Sequence, residues 1–247
     1  MGTNNLSAKI TLAALFVYVV LFEFILPPIK IVPVPSELPN VLTSLFADYH
    51  LLFAFGSSLL AVLSAILFSA FLLFLFSKNI AQIIDKYKTS IKALNGIRYL
   101  TLVSVAALFA LWFGDSLYAE LIAVFLFFFS DMFFTALDKS AGINSAYIDA
   151  ALGLKISEDK IYKEVYFKSL LPFIRDKLTS LHLSLWAFLL IYEIFAGENL
   201  GAIFKMIAIY SDYSALFLFV IILALMIFIL NYLLQTLIDK TIFWNNR

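Results

Sequence analysis

The sequence predicts an all-α integral membrane protein of about six transmembrane helices, and three observations carry that prediction. Only 14% of its residues are charged and 63% are hydrophobic, whereas a water-facing domain carries roughly 25% charged residues. Six apolar runs approach the roughly 20 residues needed to cross a hydrocarbon core of about 30 Å. The cations between those runs fall almost entirely on one side of the membrane they imply.

The runs are Ile10–Ile29, His50–Phe76, Tyr99–Phe113, Leu117–Leu137, Leu178–Phe195 and Tyr213–Ile238. The second and sixth contain no charged residue. The first ends at Pro27-Pro28 without a small-residue cleavage site, so a retained helix is expected rather than a signal peptide. The third is short and is expected to extend back through Arg98, whose long stem can snorkel to the interface. Gly114-Asp115-Ser116 parts it from the fourth, which predicts a tight helical hairpin. Pro33, Pro35 and Pro39 make the loop Lys30–Tyr49 extended at first. Between the second and third runs, Ile80, Ile83, Ile84, Tyr87, Ile91 and Leu94 form a helical stripe opposite lysines. That stripe predicts a helix lying on the inner membrane surface.

Placing the N-terminus in the cytoplasm puts fifteen of the seventeen lysines and arginines inside and leaves only Lys30 and Lys205 outside. Cations are retained on the cytoplasmic side, so both termini are expected there. The balance of 17 cations and 17 anions offers no basic stripe for nucleic acid. Without cysteine there is neither disulfide nor thiolate metal site. His50 and His182 lie too far apart in sequence to suggest a zinc pair. No phosphate loop, H-E-x-x-H or G-x-S-x-G motif is found, so no enzyme, metal or cofactor is expected.

The longest cytoplasmic loop, residues 138–177, is the most informative. It contains Tyr147-Ile148-Asp149-Ala150-Ala151-Leu152-Gly153 and, further on, Leu171-Pro172. A short helix bearing small alanines can seat closely in a groove on a partner, and a glycine permits a sharp exit. An acid, two alanines, a glycine and a cationic amphipathic stretch ending in Leu-Pro resemble the EAA loop of ABC importer permeases. Val32-Pro33-Val34-Pro35-Ser36, Ser57-Ser58-Leu59-Leu60, Leu111-Trp112-Phe113-Gly114, Leu181-His182-Leu183-Ser184-Leu185-Trp186 and Glu193 with Leu200-Gly201 are similar, in order, to stretches of the nitrate/sulfonate/taurine/bicarbonate-like group. The resemblance covers roughly residues 30–240.

The resemblance implies a type I ABC importer permease-like bundle over residues 50–240, preceded by a first helix and outer loop over 1–49. It implies a second permease copy forming a homodimer, two cytoplasmic ABC ATPase subunits that hydrolyse ATP, and an extracytoplasmic substrate-binding protein. The expected location is a bacterial inner membrane, with the pathway carrying a small solute. Tyr147, Asp149, Ala150, Ala151, Gly153 and Pro172 are the expected ATPase-coupling residues. Gly153 lies further from Pro172 than the family's glycine lies from its proline. Either an insertion around Leu154–Asp159 or a different equivalent glycine accounts for this. An ATP-independent six-helix carrier or channel, and a membrane assembly subunit that transports nothing, are the competing readings.

Four acids fall inside the apolar runs, and ionisable groups at bilayer depth are functional candidates by default. Glu120 lies within a turn of the outer end and is expected to reach water. Glu23 is assigned a structural or interfacial role. Asp131 and Glu193, with His182 and Trp186 one helical turn apart, are the candidates for the translocation pathway.

Overall fold

The computed structural model describes residues 3–26, 32–92, 102–114, 116–140, 142–143 and 145–241. These residues contain helices and turns but no strand. The order is α1 (Thr3–Val20) running into a π-helical turn Leu21–Ile25, α2 (Leu38–Ala47), α3 (Leu51–Leu75), α4 (Ser77–Lys92), α5 (Leu102–Phe113) and α6 (Leu117–Ser140). Then come α7 (Ser145–Gly153), α8 (Glu158–Lys160), a π-helical segment Ile161–Tyr166, α9 (Phe167–Ala196), α10 (Asn199–Ile209) and α11 (Tyr213–Thr241).

α9 is the hub, packing against α3, α5, α6, α10 and α11. Phe128, Leu185, Phe188, Leu189 and Tyr192 are buried where it meets α6 and α3. Phe127 and Phe188 stack there with ring centroids 4.4 Å apart. Tyr192 donates its hydroxyl to the Gly114 carbonyl at 3.0 Å, fastening α9 to the α5–α6 hairpin. Gly114 itself has φ +70°, the left-handed geometry that a tight exit from α5 requires.

Six spans are expected from the sequence. By length and composition α3, α6 and α11 are able to cross, and the bent pair Glu158–Leu178 and Ser180–Ala196, meeting at 53°, adds a fourth. α5 has 12 residues, about 18 Å of helix at 1.5 Å per residue, which is short of the hydrocarbon thickness. Its expected extension through Arg98 lies outside the described residues. The first run contributes a shorter apolar helix, Leu12–Ile25. At its C-terminal end Tyr18 donates to the Pro33 carbonyl at 2.7 Å, and the Ser36 amide donates to Glu23 Oε2 at 3.1 Å. Glu23 therefore holds the chain that follows the first helix.

Two features depart from the sequence reading and one agrees with it. The proline-rich loop is extended at first, with Val34 at φ −67° and ψ 134°. Pro35–Glu37 forms one 3-10 turn and α2 follows with Pro39 in its first turn, a position where the missing amide costs nothing. Residues 199–209, read as outer loop, form α10. Part of the stripe on α4 faces protein: Ile80, Ala81 and Ile84 are buried, and α4 packs on the Ile161–Tyr166 segment and on α6. Ile83 and Tyr87 remain exposed. Leu94 lies outside the described residues.

Candidate functional site

Two groupings stand out, one in the loop of residues 138–177 and one where α9 meets α3 and α10. In the loop, Tyr147–Gly153 lies on α7. Tyr147 is 63% exposed, Leu154 is 76% exposed, and Ala150 is exposed between them. Spacings of three and four residues place all three on one side of a helix. Asp149 and Leu152 are also exposed, whereas Ala151 is buried, facing the protein, and Ile148 is half-buried. Of the two alanines only Ala150 is open to a partner. α7 rests on the π-helical segment, so its inner side is held and its outer side is free.

The sharp exit from α7 does not fall at Gly153. Lys155 takes the left-handed conformation, with φ +55°. Its amide donates to the Leu152 carbonyl at 2.9 Å, and the Ile156 amide donates to the Ala151 carbonyl at 3.1 Å. This pair of bonds is the Schellman closure, whose left-handed residue is most often glycine. Gly153, two residues early, meets nothing within 4 Å of a built Cβ. Lys155→Gly should therefore stabilise the loop by about 1 kcal/mol, read as slower hydrogen exchange of the amides at 154–156. Faster exchange would show that the left-handed turn is not what ends α7.

Beyond the turn, α8 and the π-helical segment run into α9. Pro172 sits half-buried inside α9, where it lacks the amide needed for an i→i−4 bond. Lys78 Nζ and Asp159 Oδ1 are 2.7 Å apart. Tyr162 donates its hydroxyl to Asp85 Oδ2 at 3.1 Å.

Near the C-terminal end of α9, Glu193 has no exposed surface. Ser58 on α3 donates its hydroxyl to Glu193 Oε1, and the Gly201 amide on α10 donates to Oε2 at 3.2 Å. One buried carboxyl thus ties three helices together. Gly201 is required at this crossing because a Cβ there would lie 2.1 Å from the Glu193 carbonyl carbon and 2.2 Å from the Ile194 nitrogen. Glu120 does not reach water as expected. It is fully buried, because the start of α10 lies over it: Asn199 donates Nδ2 to Glu120 Oε2 at 3.2 Å.

Further along the same helix, Trp186 donates its indole N–H to His182 Nε2 at 3.0 Å, and both residues are buried. A histidine nitrogen accepts only while unprotonated, so the neutral ring carries its proton on Nδ1. Phe55 stacks on Trp186 with centroids 5.4 Å apart and planes 4° from parallel. Trp186 and Glu193 also border a recess of about 270 Å³ between α9, α10 and α11, whose wall is otherwise made by residues such as Leu183, Ala187, Leu190, Leu200 and Leu223. Asp131 is half-buried on α6 and does not join this group.

With this geometry in view, the comparison with known families is decisive. A family model described as binding-protein-dependent transport system inner membrane component matches residues 91–243, more than half of the chain. The chain belongs to that family. No curated protein and no solved structure matches it.

As a binding-protein-dependent permease component, the protein is the membrane part of an ABC importer and not an enzyme. The matched stretch takes in α7, the bent helix α9, α10 and α11. It therefore contains Glu193 and Gly201, but Ser58 comes from α3, outside it. Sequence reasoning quoted Ser58 only as part of a motif and missed Asn199 altogether. The available signal for Ser58 was a pair of hydroxyls in a run without charge, facing an acid that needed a donor.

Proposed function

We propose that this permease component forms the translocation pathway for a small solute and is gated by partner ATPases docking on α7. One observation carries the reading: α7 and the residue after it leave Tyr147, Ala150 and Leu154 exposed on one side, while the opposite side of α7 packs on the segment that becomes α9. An apolar face projecting from a membrane protein into water is disfavoured unless a partner covers it. A push on that face reaches α9, and α9 touches most of the bundle. Two ATPases, a second permease copy and an extracytoplasmic binding protein complete the assembly in this reading. The resemblance to the nitrate/sulfonate/taurine/bicarbonate-like group favours a small anion as solute. The fifteen-to-two cation split favours an inner-membrane orientation with both termini in the cytoplasm.

The test is recovery of the partner. Tagged chain purified from gently solubilised membranes should bring down an ABC ATPase in comparable amount. Replacing residues 145–157 by a glycine-serine linker of equal length should abolish that recovery while leaving the yield of membrane-inserted chain intact. Unchanged ATPase recovery from the linker variant would sink the proposal.

A further inference from the structure

The cytoplasmic end of the protein contains a second connection that the α7-to-α9 route does not use. α3 passes into α4 through the single residue Phe76, and the Ile80 amide bonds to the Phe76 carbonyl at 2.9 Å across the junction. α4 then lies against the π-helical segment Ile161–Tyr166. Ile80, Ala81 and Ile84 on α4 are buried, as are Ile161 and Tyr166 on the segment. Two polar contacts close the ends of this apolar contact: Lys78 with Asp159, and Tyr162 with Asp85.

We infer that α4 is a second transmission arm, clasped to the loop so that displacement of α7 reaches α3 as well as α9. The inference rests on the proposal that ATPases dock on α7. Three features of the fold support it. α4 is amphipathic, yet its buried stripe is spent on the loop rather than wholly on lipid, so the two move together or lose that burial. The Lys78–Asp159 pair is well exposed and contributes little by itself. The Tyr162–Asp85 bond is half-buried and fixes the register of the segment against α4. A π-helical segment is a common mark of a functional irregularity within a helix, and here it is the part that α4 grips. α7, the segment and α4 thus form one cytoplasmic body with two exits into the membrane helices, α9 and α3.

The absence of cysteine makes a direct test available. Spin labels on Ile83→Cys, exposed on α4, and Leu117→Cys, exposed at the outer start of α6, report how α4 moves. In the permease–ATPase complex reconstituted in lipid, ATP with vanadate should change this distance by about 2 Å or more, the scale of helix shifts in switching proteins. Adding Asp85→Ala and Asp159→Lys should leave ATPase recovery unchanged and reduce the shift by at least about half of that scale. Tyr162→Phe, which deletes one hydroxyl and spares the fold, should reduce it less. Lys78→Glu combined with Asp159→Lys, on the native Asp85 background, should restore it. An unresponsive distance in the parent complex, or an equal response in the Asp85→Ala/Asp159→Lys variant, overturns the arm while leaving docking on α7 intact. Failure of the parent chain to recover any ATPase overturns the docking proposal, and the arm with it.

Discussion

Gly201→Ala should cost the protein about 3 kcal/mol or more and strip α10 from the bundle. A methyl at this position would sit 2.1 Å from the carbonyl carbon of Glu193, 2.2 Å from the Ile194 nitrogen and 2.4 Å from the Glu193 oxygen. All three neighbours are backbone atoms of α9, so no side-chain rotation relieves the clash. α10 must therefore move away, and overpacking of this kind typically costs about 1–3 kcal/mol. The displacement also breaks the bond from the Gly201 amide to Glu193 Oε2. Leaving part of a buried carboxyl without its donor adds about 1–3 kcal/mol. The matched control is Gly56→Ala on α3, where a built Cβ meets nothing within 4 Å. Thermal unfolding in detergent should show a large loss for Gly201→Ala and little change for Gly56→Ala. Equal stability of the two variants would mean that the α9–α10 crossing is looser than described.

The same crossing shows why part of the fold was legible in the sequence and part was not. Long uncharged runs such as His50–Phe76 and Tyr213–Ile238 declare themselves, because only lipid or a large core accommodates them, and both appear as helices. The tight exit at Gly114 was equally readable from its flanking residues. What stayed hidden depends on tertiary contact. Glu120 reads as a water-facing acid near a helix end until α10 is laid over it, and α10 was not anticipated because its eleven residues are too few to announce a span. The stripe on α4 has the same period whether it meets lipid or the loop, so periodicity alone could not choose between them.

The cytoplasmic motif was partly legible for the same reason. Small residues beside an acid and a glycine pointed to a close-fitting helix, and α7 covers that stretch. Which alanine faces outwards depends on the helix's seat on the Ile161–Tyr166 segment, and sequence spacing does not show that seat. The turn that ends α7 is set at Lys155, a residue type that gives no hint of a left-handed conformation. Between Gly153 and Pro172 lie that turn, α8 and the π-helical segment.

Ala150→Trp should uncouple the protein from its ATPases without unfolding it. Ala150 is exposed between Tyr147 and Leu154, and a methyl there lets a partner surface approach the α7 backbone closely. An indole in its place holds the partner away, at a cost of about 1–3 kcal/mol if the groove is as tight as a packed core. That corresponds to a loss of roughly 5- to 150-fold in ATPase affinity. The cost falls on docking because Ala150 faces solvent in the isolated chain, whereas its neighbour Ala151 is buried and would report on folding instead. Ala151→Trp should therefore lower the yield of folded protein, and Ala150→Trp should not. Glu158→Trp, exposed just beyond the turn at Lys155, serves as the second control and should retain ATPase binding. Affinity of the purified ATPase for each variant in nanodiscs, measured beside thermal stability, separates the outcomes. ATPase affinity at the native level in Ala150→Trp would place the docking contact elsewhere on the loop. A loss equal to that of Ala151→Trp in both measurements would mean that α7 is held by the bundle on both sides and presents no free face.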